Sequence, residues 1–113
     1  MNIQIFGTNK CFDTKKAMRY FKERGIKYQF IDMKEKGMSK GEYTNVKQAV
    51  GGIENLLDES CKDKDTLALI KYISDEDKDE KILENQRVIK TPVVRNGRQA
   101  TVGYQPEVWK EWT

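Results

Sequence analysis

Two cysteines and no histidine define the chemical repertoire of this chain. Without imidazole the usual general base and the commonest metal ligand are missing. Two thiols among carboxylates make a poor zinc set, so no metal is expected. What remains is thiol chemistry. Cys11 lies in Ile3-Gln4-Ile5-Phe6-Gly7-Thr8-Asn9-Lys10-Cys11-Phe12-Asp13-Thr14-Lys15-Lys16, where an apolar stretch of strand length gives way to a short polar loop and then a helix-like segment. A thiol at a helix start meets the positive end of the peptide dipoles and several unpaired N–H groups. Both favour the thiolate, the nucleophilic form, and Lys10, Lys15 and Lys16 add positive charge. In Cys11-Phe12-Asp13-Thr14 the fourth position, where a two-cysteine redox motif carries its resolving thiol, is a threonine. The Thr14 hydroxyl can donate a hydrogen bond to a thiolate but cannot form a disulfide. Cys11 is therefore expected to act as a monothiol, with Thr14 and Lys15 as its supporting residues.

Two further sites bear on that thiol. Cys61, in Asp58-Glu59-Ser60-Cys61-Lys62-Asp63, could resolve an oxidised Cys11 only if the two Cα atoms approach within roughly 7 Å. Its acidic neighbours disfavour a thiolate, and the plainer expectation is an incidental cysteine. Thr91-Pro92 stands directly before a strand, and an X-Pro bond there can be cis. The plain alternative is a trans proline at the first residue of a strand.

The elements that must position these residues follow from periodicity. Residues 2–6 alternate as a strand. From Phe12 to Arg24 the period becomes helical, with Ala17, Met18 and Phe21 on one face and Lys and Arg on the other. Gly25 stops that helix. Tyr28, Phe30 and Ile31 mark a second strand over 27–32, completing a βαβ unit with parallel strands. Ser39-Lys40-Gly41-Glu42 has capping-box form and starts a helix that runs to Gly51-Gly52. Ile53, Leu56 and Leu57 suggest a short turn. Helices are expected over 63–73 and 76–86, the second capped by Ser74 or Asp75. The acidic run from Ser74 to Glu80 suits a solvated first turn. Thr91 to Arg95 is a strand, Asn96-Gly97 a hairpin turn, and 98–102 the returning strand. Pro106 opens a last helix, with Val108, Trp109 and Trp112 as its apolar stripe.

Composition bounds the rest. The 113 residues suit one domain, spanning 1–113. Eleven aromatics and 37% hydrophobic residues give a core, and 35% charged residues give a soluble surface. A net charge of +3 with interleaved signs argues against direct nucleic acid binding. No window approaches the roughly 20 apolar residues of a membrane span. The strand pattern begins at the N-terminus with no signal-peptide form, and two cysteines without an export signal suggest a reducing cytoplasm. A monomer is expected.

The residues Asn2-Ile3-Gln4-Ile5-Phe6, Cys11, Thr14-Lys15-Lys16-Ala17, Gly25-Ile26, Ser39 to Glu42 and Thr91-Pro92-Val93-Val94 with Gly103-Tyr104 resemble the ArsC/Spx family. That family comprises glutaredoxin-type arsenate reductases, Spx transcription regulators and uncharacterised relatives. The resemblance spans nearly the whole chain. It implies an α/β, thioredoxin-like fold with a mixed four-stranded sheet: βαβ, helical insertion, β-hairpin and C-terminal helix. The core would lie at about 1–33 and 88–113 and the insertion at about 38–87. It further implies that Cys11 is the reactive cysteine and Pro92 a cis-proline. In thioredoxin-like folds the loop before such a proline lies against the cysteine, and here Thr91 and Pro92 would bind the incoming thiol or peptide. Arsenate reductases of this type hold the oxyanion with arginines. At the corresponding places this chain has Thr91, Asp58 and Thr101-Val102-Gly103, and a carboxylate repels arsenate. Arg95, Arg98 and Lys15 are the cations that could substitute. Spx regulators carry a Cys-x-x-Cys switch, and here Thr14 stands at its second cysteine.

The expectation is a thiol oxidoreductase with Cys11 as single nucleophile. It has no bound cofactor, and its substrate is a small thiol or an oxidised protein. Glutathione or another low-molecular-weight thiol would serve as reductant. The alternative is an Spx-like module that binds RNA polymerase or another protein.

Overall fold

Ile3, Ile5 and Val94 face one side of a four-stranded sheet, and Phe6 and Val93 face the other. In this computed structural model, which describes residues 1–112, the strands are β1 (Ile3–Gly7), β2 (Tyr28–Asp32), β3 (Val93–Asn96) and β4 (Gln99–Val102). Their order is β2-β1-β3-β4. β1 runs parallel to β2 and antiparallel to β3, and β3 pairs antiparallel with β4. The sheet is mixed, as expected. Thr113, the last residue of the expected domain span, lies outside the described residues.

One face is covered by α1 (Phe12–Glu23) and the short α5 (Pro106–Trp109). Ala17, Tyr20 and Phe21 of α1 meet Ile3, Ile5, Val94 and Trp109 there. Trp109 is fully buried, edge-on to Tyr20, and its indole N–H donates to the Thr101 hydroxyl at 2.8 Å. A buried indole nitrogen needs such a partner. The other face carries α2 (Lys40–Val50), and beyond it α3 (Lys64–Tyr72) and α4 (Asp75–Glu84). Tyr43, Val46, Leu56, Ile70, Ile82 and Val88 fill that layer.

Local chemistry explains most boundaries. The capping box at Ser39 is complete: its hydroxyl accepts from Glu42 N–H, and the Glu42 carboxylate accepts from Ser39 N–H. Gly51 ends α2 in the left-handed conformation at φ 88°, where a Cβ would be strained. Some expectations shift: β3 begins at Val93, after Thr91-Pro92, and Val108 of the expected apolar stripe is exposed. The hairpin pairs Asn96 with Gln99, so its two-residue loop is Gly97-Arg98 and Asn96 belongs to the strand. Only Gly97 has positive φ, which fits the type II′ pattern of glycine first and any residue second. Ser74 is the N-cap of α4, but its hydroxyl donates to the Asp77 carboxylate, not accepting from the backbone.

Candidate functional site

β1 ends at Gly7, and the chain turns through Thr8, Asn9 and Lys10 before α1 begins. Cys11 is the N-cap of α1, with φ −85° and ψ 119°. Its N–H donates to the Thr8 carbonyl at 3.1 Å, which closes the turn, and its carbonyl accepts from Lys15 N–H. The sulfur is therefore fixed at the C-terminal end of β1, beside the first free N–H groups of the helix. Across from it the Thr91-Pro92 bond is cis. The Cys11 thiol lies 3.6 Å from the Thr91 carbonyl, to which its S–H donates. The structure thus brings Cys11, Thr14, Thr91 and Pro92 together.

Opposing influences act on the sulfur. Partial burial pushes the Cys11 thiol up. The side chains of Thr14 and Thr91, with the backbone N–H groups of Thr14 and Asp13, pull it down, and the net result lies below the ordinary thiol value. Donation to the Thr91 carbonyl favours the neutral thiol, but that contact is a single long one and several groups favour the charged form. Thr14 is fully buried, and its hydroxyl has no hydrogen-bond partner of good geometry. It nonetheless stands close enough to Cys11 to favour the thiolate. A buried hydroxyl without an acceptor is costly, and a negative sulfur beside it supplies one.

Thr14 is held by a residue that sequence reasoning passed over. A Cβ at Gly7 would collide with the Thr14 side chain, so only glycine lets the strand end approach α1 this closely. The signal was present: a glycine closing an otherwise apolar strand. Lys15, by contrast, is exposed, and it is not among the groups that lower the thiol.

Cys61 is not among the groups that act on the Cys11 sulfur. It is buried in the cluster with Leu56, Leu57 and Leu67, and its thiol donates to the Arg87 carbonyl at 3.6 Å. Both cysteines are free thiols. Among the described residues no three His, Cys, Asp or Glu side chains come together to hold a metal. No helix there is long and apolar enough to cross a membrane.

A cleft of about 580 Å³ opens between Thr8, Thr91, the loop Met33–Gly37 and Arg87. Its charges are mixed, with Lys34, Lys36 and Arg87 against Glu35, Asp58 and Glu84. Arg87 is itself ion-paired with Asp63. Of the candidate oxyanion cations, Arg95 is tied down, donating to Gln4 and Asn45 and pairing with Glu42. Arg98 sits in the hairpin loop at the opposite end of β3 from Pro92.

The comparisons with known proteins agree with this architecture. A family model described as ArsC family matches residues 6–112. Among curated proteins none matches. Of solved structures, an ArsC family related protein from Bacteroides fragilis superposes with a TM-score of 0.86 at 20% identity, over 100% of this chain and 98% of that one. An arsenate reductase from Vibrio cholerae gives 0.83 at 24% identity, covering 98% and 97%. NrdH-redoxin from Escherichia coli, a glutaredoxin-like protein, gives 0.50 at 15% identity over 100% and 96%. At such identities the likeness is one of fold, and the fold is thioredoxin-like.

Proposed function

The chain belongs to the ArsC family, and from that premise we propose that it is a thiol-dependent oxidoreductase with Cys11 as its single nucleophile. The observation that carries this is the buried Thr14 hydroxyl, unpartnered and set beside a thiol whose surroundings favour its charged form.

The thiolate attacks one sulfur of a disulfide substrate. A Cys11–substrate S–S bond forms, the original S–S bond breaks, and the departing thiolate leaves with the bonding electron pair and takes a proton from water. A second thiol, glutathione or another small thiol of a reducing cytoplasm, attacks the substrate-derived sulfur and frees Cys11. Thr14 and the N–H groups at the start of α1 hold the negative sulfur. Thr91 and Pro92 present backbone to the incoming chain. The mixed charge of the adjoining cleft suits a peptide-like thiol better than a compact oxyanion, since Arg95 is engaged and Asp58 lines the wall. Arsenate reduction is accordingly expected to be slow.

The test is reduction of a mixed disulfide of glutathione with a model peptide, followed with glutathione as reductant. Cys11→Ser should abolish turnover and Cys61→Ala should keep it. Turnover that survives Cys11→Ser, or depends on Cys61, would overturn the assignment. A glutaredoxin-coupled arsenate assay on the same preparations checks the oxyanion statement, and rapid arsenate turnover would reverse it.

A further inference from the structure

The outer face of α1 is basic. Residues 10–24 carry six basic side chains and two acidic ones, a surplus of four, while the whole chain has a net charge of +3. Lys15, Lys16, Arg19 and Lys22 are all exposed. Their spacing of three and four residues places them on one stripe of α1. Among the described residues none of these four cations, nor Arg24, forms an ion pair, although Asp13 and Glu23 share the helix.

Two of the cations are nonetheless held in place. Lys16 stands over the Tyr104 ring at 5.4 Å, and the Arg24 guanidinium stacks on Tyr20 at 3.7 Å while donating to the Tyr20 carbonyl. Cation–π contact fixes a charge without neutralising it. Between them lies a shallow groove of about 380 Å³, bounded by Lys16, Arg19, Arg24, Tyr104 and Pro106, with Glu23 as its one carboxylate. At the head of the stripe, one residue after the reactive thiol, the Phe12 side chain is 80% exposed. A single exposed ring is ordinary on a protein surface, but this one stands next to the nucleophile, where an apolar side chain of a bound partner can cover it.

We propose that the outer face of α1, with Phe12 and Tyr104, is the docking surface for an acidic protein segment that carries its disulfide next to an apolar side chain. The proposal rests on Cys11 being the nucleophile, and it names the substrate class: acidic protein disulfides, not small thiols alone. Charge complementarity selects the partner. The stripe begins at the thiol, so a bound acidic segment running along α1 delivers its own sulfur to Cys11 and its apolar side chain to Phe12. The covalent step is unchanged: Cys11–S bonds to the partner sulfur, and the partner's other sulfur departs as thiolate with the electron pair.

Two short cysteine peptides test it, each as a mixed disulfide with 5-thio-2-nitrobenzoate, one flanked by Glu and one by Lys. Release of the coloured thiolate by the whole chain with Cys61→Ala gives the exchange rate. The Glu peptide should react roughly 10-fold faster than the Lys peptide at low ionic strength, and the advantage should shrink to about 2-fold or less in half-molar salt. The double variant Arg19→Glu with Lys22→Glu should remove or invert the preference and leave the rate with a small uncharged disulfide unchanged. Equal rates for the two peptides, or a preference that survives the double variant or high salt, would overturn the docking surface. So would tight binding of a short oligonucleotide that blocks both peptides alike, which would reassign the stripe to nucleic acid. Failure of every disulfide to react faster than with free cysteine would instead strike the underlying assignment of Cys11.

Discussion

The helical insertion and α1 treat charge in opposite ways. In the insertion, cations meet carboxylates: Lys47 with Asp79, Lys71 with Glu59, Lys78 with Asp75, Lys81 with Glu84 and Arg87 with Asp63. The Tyr43 hydroxyl joins the first of these, donating to Asp79 at 2.7 Å, which ties α2 to α4. Among the described residues no cation of α1 is so paired, and Lys15 and Arg19 are like charges four residues apart. Like-charge pairs at this spacing cost only about 0.2–0.5 kcal/mol each. Burying a large apolar side chain such as Phe21 contributes about 1.5–3 kcal/mol. The buried face of α1 therefore easily outweighs the repulsion on its exposed face. Charge in the insertion is matched pair by pair, one pair joining α2 to α4, whereas the cations of α1 stand beside the thiol without such pairs.

Substitutions that strike one layer and spare the other sharpen this contrast. Leu56→Ala should have the largest effect on stability, about 2–5 kcal/mol by denaturant unfolding, because Leu56 is fully buried in the insertion core. The refolded fraction should keep its Cys11 reactivity per folded molecule. Gly7→Ala should cost about 1–3 kcal/mol through collision with Thr14, and unlike Leu56→Ala it should also raise the Cys11 pKa. Thiol labelling of the two variants side by side separates these outcomes. Equal reactivity in both would mean that Thr14 does not act on the sulfur. Arg19→Glu should change stability by no more than about 0.5 kcal/mol, since on this exposed face the repulsion it relieves with Lys15 is offset by the one it creates with Glu23.

The smallest effect is a pH dependence in the insertion. The Thr66 side chain and the Arg87 guanidinium hold Asp63 down at about 2, and its backbone bond to Thr66 caps α3. A carboxylate depressed on folding adds stability above its unfolded value of about 3.9. That contribution should fade as pH falls from about 4 through about 2. The gap in melting temperature between the parent and Asp63→Asn should therefore close over that interval. A gap that widens on acidification would reverse the sign.

Much of the frame was legible because it is local. Ile3 and Ile5 alternate, Gly25 and Gly51 stop helices, and Ser39 with Glu42 writes its own cap; each needs only neighbours within a few residues. The cis Thr91-Pro92 bond was legible through family resemblance, not from the dipeptide itself. What escaped depends on contacts between distant segments. Gly7 matters because α1 returns over the end of β1. Arg95 could not be assigned until β3 was set beside Gln4 and α2 beside β4. The Asn96-Gly97 signal placed the hairpin correctly but missed its register by one residue, since strand pairing decides which residue of the two lies in the loop. Lys15 was singled out from sequence proximity to the thiol, whereas the groups that act on the sulfur are hydroxyls and N–H groups of Thr14, Thr91 and Asp13.

If the surroundings of Cys11 activate its thiol, the titration of that thiol must show it. In the Cys61→Ala background, the rate of iodoacetamide alkylation at Cys11 is measured against pH, with Thr14→Val as comparison. The parent should reach half-maximal rate clearly below the free-thiol value of about 8.5, and Thr14→Val should move that midpoint upward. A parent midpoint at or above the free-thiol value, unmoved by Thr14→Val, would mean that Cys11 is an ordinary thiol.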